Sequence, residues 1–515
     1  MILIVRLALV SVLLTGLSAA QTFSAPLTYD TTIPPLGAVY ADVNHDGFLD
    51  VLVASSGAIS VMLNDGTGAL HQVAVYQVVD ALGGIAVGDF NGDGVLDIAV
   101  ASEFSGVIVL LGNGDGTFQS PKTYAVVGSP ASIVVGDFNH DGKMDIATLG
   151  QDNNTITILT NTGSSFTASS FVAPQYWSAT FHSSDMLWHL TAGDFNGDGR
   201  IDLAYVDTCL PNGSSYCGPD PSVSPSDNYY VLLNKTTGWE AHPVFPHASS
   251  KYIIGTMNLH AVDVDNDGRA DLVGTFWDGF PVAYDPTPIS VPCHSCPYGV
   301  EVLYSNGDGT FAPLNINLEG GTFDPPYDTV VADINNDGIN DLVTGFGWGG
   351  IGTAGFEVLE GKGGRAGFKA PTKFFKATQP YVIEMGIGAG LFRAQPSKDI
   401  IAVLDLDDLE EFRNTTSFSA EPCPYPATPA LHYCGPANGS TVTGTDVTFH
   451  ATARAASGPV SRLELWVDGH KLFQAYSDRM IRVQPLSKGK HAATIVEVDS
   501  AGSLIKSRIL TFTVK

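Results

Sequence analysis

Six copies of one nine-residue acidic pattern constrain this chain more than any other feature. They are DVNHDGFLD at 42, DFNGDGVLD at 89, DFNHDGKMD at 137, DFNGDGRID at 194, DVDNDGRAD at 263 and DINNDGIND at 333. Successive copies lie 47, 48, 57, 69 and 70 residues apart. A unit of this size buries little on its own, and a period of roughly 40 to 50 residues is that of four-stranded propeller blades. The longer intervals mark insertions.

The second unit shows the local pattern. GGIAV precedes the acidic loop, DIAVA follows it, and GVIVLLG, the turn NGDGTF and PKTYAVV complete the unit. Four apolar or β-branched runs between Gly and Asp turns predict an antiparallel meander. No useful length shows apolar residues at helical spacing, so almost no helix is expected. A seventh, eroded unit, GIGAGLFRAQPSKDIIAVLDLDDLEEF, keeps Gly390, Phe392 and Asp399 but loses the carboxylates between them, so it is expected to hold no metal. TFSAPLTYD, at 22–30, looks like the last strand of a unit yet precedes the first loop. It is expected to complete the final blade and close the ring, which removes the exposed edges of a linear array. The expected fold is all-β, a seven-bladed β-propeller followed by a β-sandwich.

Each acidic loop places Asp, Asn or Asp, Asp, and Asp at its positions 1, 3, 5 and 9, with Gly at position 6. Calcium takes roughly six to eight hard oxygen ligands, and alternate residues of a tight turn can converge on one ion while the glycine lets the chain wrap it. The candidate ligands are Asp42, Asn44, Asp46 and Asp50 in the first loop, and Asp89, Asn91, Asp93 and Asp97 in the second. Asp137, Asn139, Asp141 and Asp145 follow, then Asp194, Asn196, Asp198 and Asp202. Asp263, Asp265, Asp267 and Asp271, and Asp333, Asn335, Asp337 and Asp341, complete the set. The start of each loop is similar to an EF-hand, but the glutamate at position 12 is missing: Val53, Val100, Thr148, Tyr205, Gly274 and Thr344 stand there.

The bland alternative is that Asn, Asp and Gly only make hairpin turns. It fails on electrostatics, because nineteen aspartates crowd into six loops and would repel or protonate without a cation. About six calcium ions are therefore expected. Catalysis by these carboxylates is disfavoured, since paired acids need a single cleft and near-identical loops round a ring provide no unique one.

GDFNGDGVLDIAVA together with LLGNGDGTF resembles the FG-GAP/VCBS repeats of integrin α-chain propellers and many secreted bacterial proteins. The resemblance runs from residue 22 to about 420 and implies a seven-bladed propeller with calcium in the repeat loops. It does not choose a function, because such propellers serve adhesion, ligand binding and as partners of catalytic domains.

The expected organisation is a signal peptide at 1–20, the propeller at 21–420, a Pro- and Cys-rich linker at 421–435 and a sandwich at 436–515. MILIVRLALVSVLLTGLSAA reads as a secretory signal ending in small residues. The C-terminal stretch alternates apolar and polar residues with turns at VDGH and DSAG, and with PANGSTV it resembles bacterial Ig-like domains. Trp466 is expected in the core of that sandwich.

A net charge of -28, from 25 basic and 53 acidic residues, argues against nucleic acid and anionic lipid as partners. The cysteines fall into the close pairs Cys209 with Cys217, Cys293 with Cys296, and Cys423 with Cys434. Local disulfides suit an exported chain. CHSC could instead be half a zinc site or a redox motif, but it lacks a second CxxC and a βαβ context.

In an antiparallel blade the acidic loops and the NGDGTF turns share one end, and the insertions lie at the other. The insertions hold Tyr176, Trp177, Trp188, Trp277 and Trp348. Five residues before each loop's first aspartate stand Gly37, Gly84, Ser132, His189, Asn258 and Asp328, with Tyr327 beside the last. Trp177, Trp188, His189, Asn258, Trp277, Tyr327, Asp328 and Trp348 are thus the candidate ligand-binding residues, suited to a carbohydrate or protein ligand. The competing reading is that they are satisfied rim groups and aromatic packing.

Two functions follow as expectations. The first is a secreted or cell-surface, monomeric, calcium-binding protein of extracellular recognition or adhesion. The alternative is an extracellular polysaccharide-degrading enzyme with His189 and Asp328 as acid and base; GxSxG and HExxH are absent.

Overall fold

The computed structural model describes residues 23, 27–30, 35–46, 48–55, 57–78, 81–150, 155–173, 186–208, 228–244, 252–281, 298–317, 326–335, 339–346, 355–375, 384–390, 399–404, 408–413, 430–442, 446–454, 460–475, 479–499, 504–506 and 509–515. Among them the only helical element is the 3-10 turn Gly364–Ala366. No helix among the described residues is long and apolar enough to cross a membrane.

Among the described residues, the strands between 27 and 412 form seven four-stranded antiparallel sheets. The second unit is representative: Ala81–Gly88, Asp97–Ser102, Gly106–Leu110 and Lys122–Tyr124 pair in sequence order. Its two middle strands are buried at every residue, as strands covered on both faces must be, whereas the outer strand is largely exposed. The inner strand of each sheet packs against the inner strand of the next, and Glu384–Gly390 returns to Pro35–Ala41. Closure depends on Leu27–Asp30, which pairs with Asp408–Phe412 as the outer strand of the last sheet. Tyr29 Oη also donates to the carbonyl of Gly68 in the first sheet, at 2.9 Å.

One irregularity recurs in every inner strand. Its pairing with the second strand slips between Pro35 and Gly37, Ala81 and Ile85, Pro130 and Ser132, Trp188 and Thr191, Thr256 and Asn258, Pro326 and Asp328, and Glu384 and Gly386. Such a bulge re-aims side chains locally. It falls where the sequence alignment places the candidate rim residues.

The C-terminal sandwich pairs a three-stranded sheet, Ala430–Gly435, Asp446–Arg454 and Arg479–Pro485, with a larger sheet centred on Val460–Val467 and Gly489–Asp499. Residues 430–435, expected as linker, contribute a strand because Ala430–Gly435 pairs with Asp446–Arg454. Val447, Phe449, Leu463, Leu465, Ile495 and Phe512 fill the core. Trp466 does not join them. Leu463, Leu465 and Val467 take the inward positions, so alternation turns Trp466 to the other face, where its Nε1 donates to Glu464 Oε2 at 3.0 Å.

Candidate metal loops and inner-strand cluster

The acidic loops are built around their ninth residue. Asp50, Asp97, Asp145, Asp202, Asp271 and Asp341 are wholly buried. In each, one carboxylate oxygen accepts the backbone N–H of loop position 2 (Val43, Phe90, Phe138, Phe195, Val264, Ile334) at 2.8 to 3.1 Å. The other accepts the N–H that opens the turn between the third and fourth strands (Asn64, Gly112, Asn161, Asn234, Ser305, Gly361) at 2.7 to 2.9 Å. The expected shared face therefore has a cause: one carboxylate clamps loop to turn. A ninth-position oxygen that also met a metal would have to use its remaining lone pair.

The turns reach the preceding blade as well. Asn161 Nδ2 donates to the carbonyl of Phe90 at 2.7 Å, and Asn234 Nδ2 to that of Phe138 at 2.6 Å. Ser305 Oγ bonds the carbonyl of Phe195, and Asn340 Nδ2 that of Asp263. The acidic loops are thus joints between blades.

Positions 1, 3 and 5 gather round the loop interior. In the second loop Asp89 Oδ1 and Asn91 Oδ1 both accept the N–H of Asp93, at 3.2 and 2.8 Å, while Asp93 Oδ1 accepts that of Val95 at 2.8 Å. The third, fourth and fifth loops repeat this pattern with Asp141, Asp198 and Asp267 at position 5. Position 4 needs a left-handed backbone: Gly92 and Gly197 lie at φ 77 and 74, and His45, His140 and Asn266 at 61, 62 and 60. Asp337 and Gly47 lie outside the described residues, so the sixth loop is seen only through Asp333, Asn335 and Asp341. The seventh unit's loop, expected to hold no metal, also lies outside them.

Electrostatics test whether these residues fit a cation. Burial, with the charges of loop neighbours added, pushes Asp50 and Asp202 up to about 7, Asp97 to about 6, Asp263 to about 7 and Asp271 to about 8, despite the backbone N–H groups that oppose the shift. Carboxylates so disfavoured as anions lack a positive charge. Asp263, Asp265 and Asp267 bring one oxygen each to within 4.8 Å of one another. Hard, charge-starved oxygens such as those of Asp50, Asp97 and Asp202 fit calcium, whereas in the fifth loop Arg365 and Arg269 already stand against Asp265 and Asp267.

Five residues before the acidic loops, on the inner strands, the candidate ligand residues Asn258 and Asp328 meet. Asp328 Oδ1 accepts from Asn258 Nδ2 at 2.6 Å and from the N–H of Thr329 at 2.8 Å, and His260 Nε2 lies 2.7 Å away. His260 was missed by the sequence alignment. It sits two residues after Asn258 on the same strand, hence on the same face, and that alternation was the signal. The Asp328 side chain is 9% exposed while that of His260 is 39% exposed, so the imidazole has access to solvent. Trp188, Trp277 and Tyr327 stand on the strands Met186–Gly193, Asp271–Pro281 and Pro326–Ala332, but their side chains lie outside the described residues. Tyr176, Trp177 and Trp348 lie wholly outside them, as do Cys209, Cys217, Cys293, Cys296 and Cys423. Cys434 stands on the strand Ala430–Gly435.

The two histidines of this cluster titrate in opposite directions. Burial lowers His189 to about 4, helped by the charge of His260 and opposed by that of Asp328. Burial also acts downward on His260, yet the charge and hydrogen bond of Asp328 raise it overall. An imidazole whose folded pKa is depressed stabilises above its unfolded value and loses that contribution as pH falls through the window to the folded one. His189 should thus cost the fold up to about 3 kcal/mol between roughly pH 6.5 and 4. His189→Asn, tolerated at its φ of 52, should flatten this part of the stability curve in pH-dependent urea unfolding. Parallel parent and variant curves would refute the assignment. His260 contributes with the other sign, losing its stabilisation as pH rises through its raised value.

Comparison with known proteins agrees with the repeats. The FG-GAP-like repeat family matches residues 42–100, 89–148 and 141–205, and the bacterial Ig domain family matches 429–495. No curated protein matches. Among solved structures, Kuenenia stuttgartiensis hydrazine synthase is similar at 12% identity and TM-score 0.47, covering 76% of this chain and 98% of that one. The Vanderwaltozyma polyspora Nup133 β-propeller domain is similar at 9% identity and TM-score 0.42, covering 76% and 97%. The fibronectin(III)-like modules of Clostridium thermocellum CbhA match 17% of this chain and 96% of their own at 20% identity and TM-score 0.16. The chain folds as a β-propeller whose residues 42–205 match the FG-GAP-like repeat, followed by a stretch, 429–495, that matches the bacterial Ig domain.

Proposed function

We propose that the protein is a secreted, calcium-stabilised recognition or adhesion protein that meets a carbohydrate or protein ligand at the insertion end of the propeller. The observation that carries this reading is the division of labour along the inner strands. Acidic loops joining blade to blade occupy one end of these strands, and Asn258, His260 and Asp328 form a separate cluster further back along them. Five residues of strand, roughly 16 Å, separate Asn258 and Asp328 from the loops, and three residues, roughly 10 Å, separate His260. Calcium would be held by the carboxylates and amides at loop positions 1, 3 and 5, with the ninth aspartate behind them. Bound there, it would neutralise the loops and lock the joints. The three cysteine pairs would staple the insertions and the approach to the Ig domain.

The imidazole oriented by Asp328 also favours a second reading, an acid–base enzyme acting on an extracellular polysaccharide. A glycan and protein-ligand array run beside a turnover assay separates the two. Asp328→Asn should weaken binding at least ~10-fold, about 1.4 kcal/mol, with no cleavage by parent or variant. Polysaccharide cleavage by the parent that Asp328→Asn abolishes would establish the enzyme instead.

A further inference from the structure

The fifth acidic loop differs from the others in two ways that answer each other. Its position 3 is Asp265, where the other five loops carry asparagine, so it holds one more carboxylate. In the second loop Asn91 Nδ2 donates to Asp93 Oδ2 at 2.8 Å, and Asn44 does the same for Asp46 in the first, at 3.0 Å. Asp265 has no such donor, and its second oxygen would face that of Asp267 as a like charge.

The missing donor comes from the next blade. Asp65, Asp115 and Asp308 sit in the outer turns of the first, second and fifth sheets, each accepting from a threonine two residues on. The sixth sheet has the longer turn GKGGRAGF, with Arg365. Arg365 Nε bonds Asp265 Oδ2 at 2.7 Å, and its Nη2 lies 3.4 Å from Asp267 Oδ2. The guanidinium is fixed from behind by the carbonyl of Ser305, by Asn306 Oδ1 at 3.2 Å and by the Tyr304 ring at 5.4 Å. The Asp265 side chain is only 4% exposed. By contrast, Lys143 in the third loop reaches only Asp141 of its own loop, in an exposed pair. Arg269 also pairs with Asp267.

We propose that Arg365 is the cation of the fifth loop, so that the joint between the fifth and sixth blades closes without calcium. A planar guanidinium with fixed donors suits two carboxylates at once, which a flexible ammonium does not. The proposal rests on the calcium reading for the other loops, and it lowers the expected number of ions by one.

The test uses the full chain, stripped with chelator, reloaded with calcium and analysed for metal content. Arg365→Gln should take up about one more ion per chain than the parent, because the vacated carboxylates then resemble the other loops. The chelated proteins supply a second readout. Arg365→Gln should lower Tm by roughly 2–4 °C, and adding Asp265→Asn, which restores the residue of the other loops, should recover at least about half of that. Equal calcium content in parent and Arg365→Gln, with additive effects of the two substitutions, would overturn the proposal. If no protein binds calcium at all, the general calcium reading fails, and recovery or additivity in the chelated chains still decides the role of Arg365.

Discussion

Replacing Asp97 by alanine should destabilise the propeller by about 3–5 kcal/mol, even in the absence of any metal. The carboxylate is fully buried and accepts the N–H groups of Phe90 and Gly112, both at 2.8 Å. Alanine leaves both donors without an acceptor in a site closed to solvent, and each such donor costs about 1–3 kcal/mol. Asp97→Asn fills the space but supplies a single acceptor and turns an amide toward the second N–H, so it should recover only part of the loss. Urea unfolding of the chelated full-length chain measures this directly. A change below about 1 kcal/mol for Asp97→Ala would mean that the clamp between loop and turn contributes little.

Stripping calcium should be the larger perturbation of the whole molecule. A ligand at about 100 times its dissociation constant adds about 2.7 kcal/mol per site. The acidic loops carry the bonds from blade to blade, such as Asn161 to Phe90 and Asn234 to Phe138, so losing the ions loosens several joints together. Chelation is expected to lower Tm by at least about 10 °C, and added calcium to restore it; magnesium, smaller and strictly octahedral, should restore much less. An unchanged melting curve together with no calcium by elemental analysis would overturn the metal assignment.

Much of the propeller was legible because repetition multiplies a weak local signal. One DFNGDGVLD is an ambiguous turn; six in register, each between buried β runs, determine strand number, order and loop placement per unit. The stretch TFSAPLTYD announced ring closure by matching the end of a unit while standing before the first. Trp466 was misplaced for a related reason: large apolar side chains favour cores, but strand phase decides the face, and three smaller neighbours at alternate positions outweighed it. His260 went unnoticed because the alignment tracked a single column of the repeat, and its partner Asp328 is 68 residues away in the chain.

The sequence by itself determined the all-β repeat, the turn chemistry and the crowding of carboxylates in the repeat loops, since these depend on residues close together in the chain. Only the tertiary structure decided which groups answer one another across blades. Asn161 reaches Phe90 across 71 residues, Asn234 reaches Phe138 across 96, and Arg365 meets Asp265 across 100. Such contacts are created by packing successive blades side by side, which brings the turn of one blade against the loop of the blade before it.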